Sequence, residues 1–261
     1  MGFGSNGINY DAHRPGYLAE AVQIIANNVN TAASLPGMDV HYNILELGAG
    51  TGKLTEQLVK ILPSNVKYLA TDPSKNFVDT LAAKDLGVNI AVASADSIPL
   101  PDCSVQTVIC AQCFHWFADM PNLESIRRVM VPGGKLVLIW NVNNFEDSWM
   151  KLYGEQRMRV IKKVGGSLTY LVNTGEWRRD IDACSLFSLA SYQNLPGNHV
   201  VGDIEKILSN ISTISAYNML PDEERKAVLG EMREVITNWP GIDVQNLTML
   251  MSTLLVTYEA I

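Results

Sequence analysis

Leu45-Glu46-Leu47-Gly48-Ala49-Gly50-Thr51-Gly52-Lys53-Leu54-Thr55 decides the fold of this chain. An apolar run from Ile44 that stops at glycines reads as a short buried strand, and the spacing after Gly52 reads as a helix to Leu62. Glycine lets the chain bend sharply and a ligand approach the backbone, while the helix start offers free amides. Three ligand classes use such a turn, and two fit poorly. The phosphate-binding GxxxxGK[ST] loop needs a glycine where Leu47 stands and a hydroxyl residue where Leu54 stands. The dinucleotide fingerprint GxGxxG needs its third glycine where Lys53 stands.

Outward from this turn the chain alternates. Pro15 is expected to open an amphipathic helix to Asn28, with Leu18, Ala21, Val22 and Ile25 at helical spacing. Further strands are predicted at Val66–Thr71, Val88–Ala93, Val105–Ala111 and Lys135–Asn141, separated by helices at Ser74–Leu86 and Pro121–Met130. Strands of nearly continuous apolar character are buried on both faces, and this alternation implies right-handed crossovers in a parallel sheet. After Asn143 the pattern breaks into helices at Phe145–Val164 and Gly175–Ala183. It returns as strands at Ser185–Gln193 and Leu247–Tyr258, with helices at Val201–Ile211 and Pro221–Asn238 between them.

Composition narrows the partners. The chain has 261 residues, 47% hydrophobic and 18% charged, with a formal charge of −7. Phosphate backbones require clustered basic surface, so a nucleic-acid partner is not expected, and a small or cationic ligand suits the balance better. No apolar stretch reaches the roughly 18 residues that a membrane span requires. The opening residues Met1–Gly7 carry neither a basic start nor an apolar stretch, so a cytoplasmic location is expected. Cys110 and Cys113 have redox or zinc-ligand spacing, but no second pair exists. The four cysteines therefore read as reduced thiols, and no metal is expected.

The third ligand class is S-adenosylmethionine. The turn, with Glu46 at its acidic position, resembles the first motif hh(E/D)hGxGxG of the class I S-adenosylmethionine-dependent methyltransferases. Asp72, ending Tyr68-Leu69-Ala70-Thr71-Asp72, is similar to their ribose-binding carboxylate. Ala93-Ser94-Ala95-Asp96-Ser97-Ile98-Pro99 resembles their adenine-binding segment. Ala111-Gln112-Cys113-Phe114-His115-Trp116-Phe117 and Val131-Pro132-Gly133-Gly134-Lys135 resemble the fourth-strand segment and the turn before the fifth strand of small-molecule methyltransferases. Tyr10-Asp11-Ala12-His13-Arg14-Pro15-Gly16-Tyr17 is similar to their N-terminal element. Leu186-Phe187, Thr213–Tyr217 and the final strand resemble the trans-aconitate methyltransferase subgroup.

The resemblance implies a Rossmann-like fold: a doubly wound, mostly parallel seven-stranded sheet with an antiparallel C-terminal strand and a helical cap insertion. It divides the chain into an N-terminal element and cofactor-binding core over 1–143, a cap insertion over 144–184, and the rest of the sheet with further cap helices over 185–261. It implies that Glu46, Gly48, Ala49, Gly50, Asp72, Pro73, Ala95, Asp96, Ser97, Ala111 and Gln112 bind S-adenosylmethionine. Tyr10, Arg14, His115, Trp116, Trp140, Asn141 and Tyr217 would form the acceptor pocket. A hydroxyl acceptor would require a base, and His115 is the histidine placed for it at a strand's C-terminal end.

The expected reaction is in-line methyl transfer to an oxygen of a small molecule by a monomer or homodimer. The alternatives are a family member with a different reaction, a non-catalytic partner subunit, and more distantly a nicotinamide-dependent dehydrogenase.

Overall fold

The computed structural model describes residues 15–29, 39–145, 148–165 and 172–261; Tyr10 and Arg14 lie outside them. Strand β1 (Tyr42–Leu47) is followed by α2 (Lys53–Val59), β2 (Tyr68–Asp72), α3 (Lys75–Ala82), β3 (Asn89–Val92) and β4 (Val105–Ala111), with α1 (Ala19–Asn28) ahead of them. Then come α4 (Met120–Val129), β5 (Met130–Asn143), α5 (Trp149–Lys163), α6 (Arg179–Ala183), β6 (Phe187–Pro196) and β7 (Val200–Gly202). The chain ends with α7 (Ile204–Ser212), α8 (Ser215–Asn218), α9 (Asp222–Thr237), β8 (Leu247–Met249) and β9 (Met251–Ala260).

Among the described residues seven strands form one sheet in the order β3-β2-β1-β4-β5-β9-β6. Strands β1 to β5 pair in parallel, and β9 runs antiparallel to both β5 and β6. This is the mostly parallel sheet with an antiparallel C-terminal strand that the alternation and the family resemblance imply. Every residue of β4 is buried, as its unbroken apolar run requires in a strand covered on both faces. One face packs Val108, Leu136, Leu138 and Trp140 against Leu123 and Ile126 of α4. The other packs Ile44, Ile109, Val137 and Ile139 against Ala21 and Ile25 of α1 and Leu54 and Leu58 of α2.

Two local expectations change. Helix α1 starts at Ala19, so Pro15 does not open it. Tyr17 instead donates its backbone N–H to Gln57 Oε1 at 2.8 Å and accepts from Gln57 Nε2 at 2.9 Å, and this reciprocal pair holds the segment out of the helix. Val200–Gly202, whose last two residues were expected in a helix, and Leu247–Met249, expected at the start of the last strand, pair with each other as a separate antiparallel ribbon. A three-residue strand is too short for periodicity to reveal.

A third core lies over the sheet's carboxyl ends. Trp149, Tyr153 and Ile161 of α5 pack with Ile207 and Ile211 of α7, Tyr217 of α8, Ile236 of α9 and Met249 of β8. Trp177 and Ile181 join the sheet core instead, with the Trp177 ring packed against that of Trp140 at 4.6 Å between centres and tilted by 41°. The stretch 144–184 thus feeds two different cores.

Candidate active site

The site begins where strand order reverses. Strand β1 leads to β2 on one side and lies against β4 on the other, so their carboxyl ends open a crevice at the switch point of the sheet. The turn there needs its glycines: φ is +64° at Gly48, +58° at Gly50 and +84° at Gly52. A Cβ on Gly52 would stand 2.3 Å from Leu81 Cδ1, and one on Gly48 would stand 2.8 Å from Cys113. Among the described residues a Cβ on Gly50 would meet nothing within 4 Å. The outer two glycines therefore serve packing, and Gly50 leaves an open cradle.

Asp72, 7% exposed at the end of β2, ties this turn down. Its Oδ2 accepts the Gly50 amide at 2.9 Å and its Oδ1 accepts the Ser74 amide at 2.8 Å. Burial raises its pKa above the ordinary aspartate value, against the two amides that lower it.

Glu46 is fully buried under the turn. Thr55 Oγ1 and Tyr68 OH both donate to its Oε2, each at 2.6 Å, while Oε1 has no partner among the described residues. Desolvation outweighs these bonds and lifts the carboxyl to about 7, with Asp72 adding a smaller push. Tyr68 is driven well above its usual value, first by burial and then by Glu46.

The crevice is a cavity of about 530 Å³. The sheet side contributes Glu46, Gly48–Thr51, Ala111, Gln112, His115 and Trp116, and the segment before α1 contributes Pro15 and Tyr17. The cap side contributes Lys151, Arg157, Met158, Thr213 and Ile214. Gln112 holds the bend after β4 at φ +64°. Trp140 Nε1 donates to His115 Nδ1 at 3.1 Å. Indole nitrogen only donates, so Nδ1 accepts and neutral His115 carries its proton on Nε2. Such an imidazole is a donor through Nε2 and has no lone pair left there to act as a base.

Of the residues expected to bind cofactor, Glu46, Gly48, Ala49, Gly50, Ala111 and Gln112 line this one cavity. Asp72 stands behind the turn. Pro73 and Ser97 are exposed and Ala95 is buried, while Asp96 accepts from Ser94 Oγ at the neighbouring β3 end. Of the described residues expected to touch the acceptor, His115, Trp116 and Asn141 line the cavity. Asn141 also donates to the Gly16 carbonyl at 3.1 Å, which helps to hold the segment before α1 as a wall. Trp140 and Tyr217 are fully buried and do not line it: Trp140 sits behind His115, and Tyr217 donates to Gln156 inside the cap. Burial pushes the Tyr217 hydroxyl far above its usual value.

Residues 45–138 match the family model described as a methyltransferase domain. The chain is 32% identical over 239 residues to an uncharacterized methyltransferase of Schizosaccharomyces pombe, covering 89% of this chain and 86% of that protein. It is 34% identical over 155 residues to an uncharacterized methyltransferase of Mycobacterium tuberculosis, covering 59% of this chain and 58% of that one. The chain belongs to the class I S-adenosylmethionine-dependent methyltransferases. A candidate type II methyltransferase of Anaeromyxobacter dehalogenans shares the methyltransferase's fold, with a TM-score of 0.68 at 18% identity over 94% of this chain and 97% of that one. S-adenosylmethionine is the cofactor of this methyltransferase.

Two features of the methyltransferase suit that cofactor. The open side of Gly50 leaves room for a ligand against the backbone, and Glu46, whose buried Oε1 has no partner among the described residues, lines the cavity. Lys151 and Arg157 went unrecognised in the sequence. The segment Thr213–Tyr217 carried a signal, but its wall residues are Thr213, Ile214 and Ser215 rather than Tyr217. No described helix is long and apolar enough to cross a membrane.

Proposed function

We propose that this methyltransferase methylates an oxygen of a small-molecule acceptor that enters the cavity already ionised, a carboxylate, by direct in-line displacement. The observation that carries this reading is the Trp140–His115 hydrogen bond, which leaves the cavity's histidine a donor rather than a base. A hydroxyl acceptor would have to lose a proton, whereas a carboxylate needs only to be held in line. Bound S-adenosylmethionine supplies a methyl group already activated on a sulfonium. A cavity of about 530 Å³ lined on one side by the cap falls in the size range of small-ligand sites, which supports a small acceptor.

On this reading Gly48, Ala49 and Gly50 bring the backbone against the cofactor, with Glu46 beneath them. Asp72 keeps two acceptor positions for the ribose hydroxyls after the Gly50 and Ser74 amides take the others. Pro73, Ala95, Asp96 and Ser97 border the adenine end, and Ala111 and Gln112 close the side along β4. His115 donates from Nε2 to the acceptor and orients it, with Trp116 beside it.

The test is incubation of the purified protein with methyl-labelled cofactor and pooled small carboxylic acids. We expect S-adenosylhomocysteine to form together with label that alkali releases, as from a methyl ester. Alkali-stable label would move the acceptor to nitrogen, carbon or a hydroxyl and overturn the carboxylate. A reaction consuming the pool without S-adenosylhomocysteine would overturn methyl transfer itself.

A further inference from the structure

The cap side of the cavity holds a cation with a buried donor that no described residue matches. Arg157 on α5 lines the cavity, with its guanidinium carbon 6.0 Å from the Phe145 ring centre. Its Nε is buried and has no hydrogen-bond partner among the described residues. Other cap cations do have partners: Arg159 pairs with Glu231 at 3.8 Å, Lys163 with Glu224 at 2.7 Å, and Arg233 with Glu205 through two hydrogen bonds. A buried N–H without a partner costs free energy unless a ligand satisfies it.

The wall around Arg157 has the same sign. The chain as a whole carries −7, yet the described cavity lining sets Lys53, Lys151 and Arg157 against Glu155 and Glu46, and Glu46 is partly neutral near pH 7. The charge inside the cavity thus runs opposite to that of the whole molecule.

We propose that Arg157 is a specificity-determining residue that binds a carboxylate of the acceptor distinct from the oxygen that is methylated. The inference rests on the methyl-transfer reading and adds a requirement to it: the acceptor carries two functional groups, one for the cofactor end and one for the cap. A guanidinium offers its N–H groups in a planar fork that matches a carboxylate, and the Phe145 ring restricts that fork from one side. An oxygen held in such a fork has its lone pairs engaged, which makes it a poor nucleophile, so the Arg157-bound group is not the one that reacts. Glu155, beside Lys151 on the same wall, leaves a small surplus of positive charge there, which suits a carboxylate better than a doubly charged phosphate.

The experiment uses the full chain saturated with S-adenosylhomocysteine, whose binding is first measured by calorimetry. The Arg157 Nε–H resonance of nitrogen-labelled protein, assigned by its loss in R157K, is then followed against acetate, acetamide and inorganic phosphate. We expect a saturable shift with acetate and none with acetamide. Acetate should also raise the melting temperature of the wild-type complex, and R157K, which keeps the charge but not the fork, should need about tenfold more of it. An unsaturable acetate shift, an equal response to acetamide, or an unchanged acetate requirement in R157K would overturn the anion subsite. Tighter saturation by phosphate would overturn the carboxylate assignment. Failure of S-adenosylhomocysteine to bind would count against the cofactor site instead, which separates the two readings.

Discussion

The indole N–H of Trp140 donates to Nδ1 of His115 at 3.1 Å, and through that one bond a residue with no access to the cavity sets what His115 offers inside it. Trp140 is itself fully buried and packed against Trp177, with ring centres 4.6 Å apart. The tautomer is therefore a property of the packed core and not of the ligand.

His115→Gln and His115→Ala distinguish a donor from a base. Glutamine replaces the N–H but cannot accept a proton. If His115 orients the acceptor, Gln should retain most of the turnover and Ala should lose about tenfold, the worth of one hydrogen bond. A general base contributes about 100-fold or more, so equal losses of that size in both variants would restore the base. Steady-state kinetics at pH 7.5 on the acceptor found by screening makes the measurement.

Glu46 predicts a pH dependence of stability with a definite sign. Its folded pKa of about 7 lies above the ordinary glutamate value of 4.5, so between these values the folded state holds a proton that the unfolded state has released. Stability from this group is fully present below the unfolded value and is lost as pH rises through about 7. The loss approaches about 3 kcal/mol as an upper figure. Urea unfolding of the ligand-free protein from pH 5 to pH 8 should show wild type falling relative to Glu46→Gln, which cannot ionise. Asp72 is shifted in the same direction but is common to both proteins, so the difference isolates Glu46. Parallel curves would show that Glu46 ionises normally.

What could be read from the sequence follows from where physical signals are dense. The strand, glycines and helix of Leu45–Thr55 each constrain the backbone locally, so the turn, its partner Asp72 and the succession of strands were legible. Burial of an aromatic is equally visible in sequence, but whether it faces a cavity or a core is not. Trp140 and Tyr217 were expected at the acceptor and instead lie in the cores behind it. Arg157 left no trace, because an arginine on an amphipathic helix has the same pattern whether it meets solvent or a ligand. Pro15 was misread as a helix start because the Gln57 bonds to Tyr17 come from a residue forty positions away.

Gly52 and Gly50 should fail in different ways. Gly52→Ala puts a Cβ 2.3 Å from Leu81 in a left-handed backbone and should cost about 2–4 kcal/mol, combining the backbone penalty with overpacking. Gly50→Ala has room in the cradle and should cost only about 1–2 kcal/mol, the left-handed penalty alone. Yet its methyl would fill the space where a ligand meets the backbone, so affinity for S-adenosylhomocysteine should fall at least about tenfold, a loss of roughly 1.4 kcal/mol. Calorimetry together with denaturant curves separates the two. Full affinity in Gly50→Ala would remove the cradle from the cofactor site.

Asp72 combines two tasks that Asp72→Asn and Asp72→Ala can separate. The carboxylate accepts the Gly50 and Ser74 amides, one on each oxygen, and about two lone-pair positions remain for other donors. Asparagine keeps one accepting oxygen but turns an NH₂ towards one of those amides and towards any ribose hydroxyl that would donate there. Alanine leaves both amides without their partner in a nearly buried position, at about 1–3 kcal/mol each. Asp72→Ala should therefore lower both the melting temperature and the affinity for S-adenosylmethionine and S-adenosylhomocysteine. Asp72→Asn should lose about tenfold or more in affinity with a smaller drop in melting temperature, since one charge-assisted bond to the ligand is worth about that much. If Asp72→Asn instead binds both ligands as tightly as wild type while melting earlier, the carboxylate holds the turn without touching the ligand, and the ribose contact belongs elsewhere.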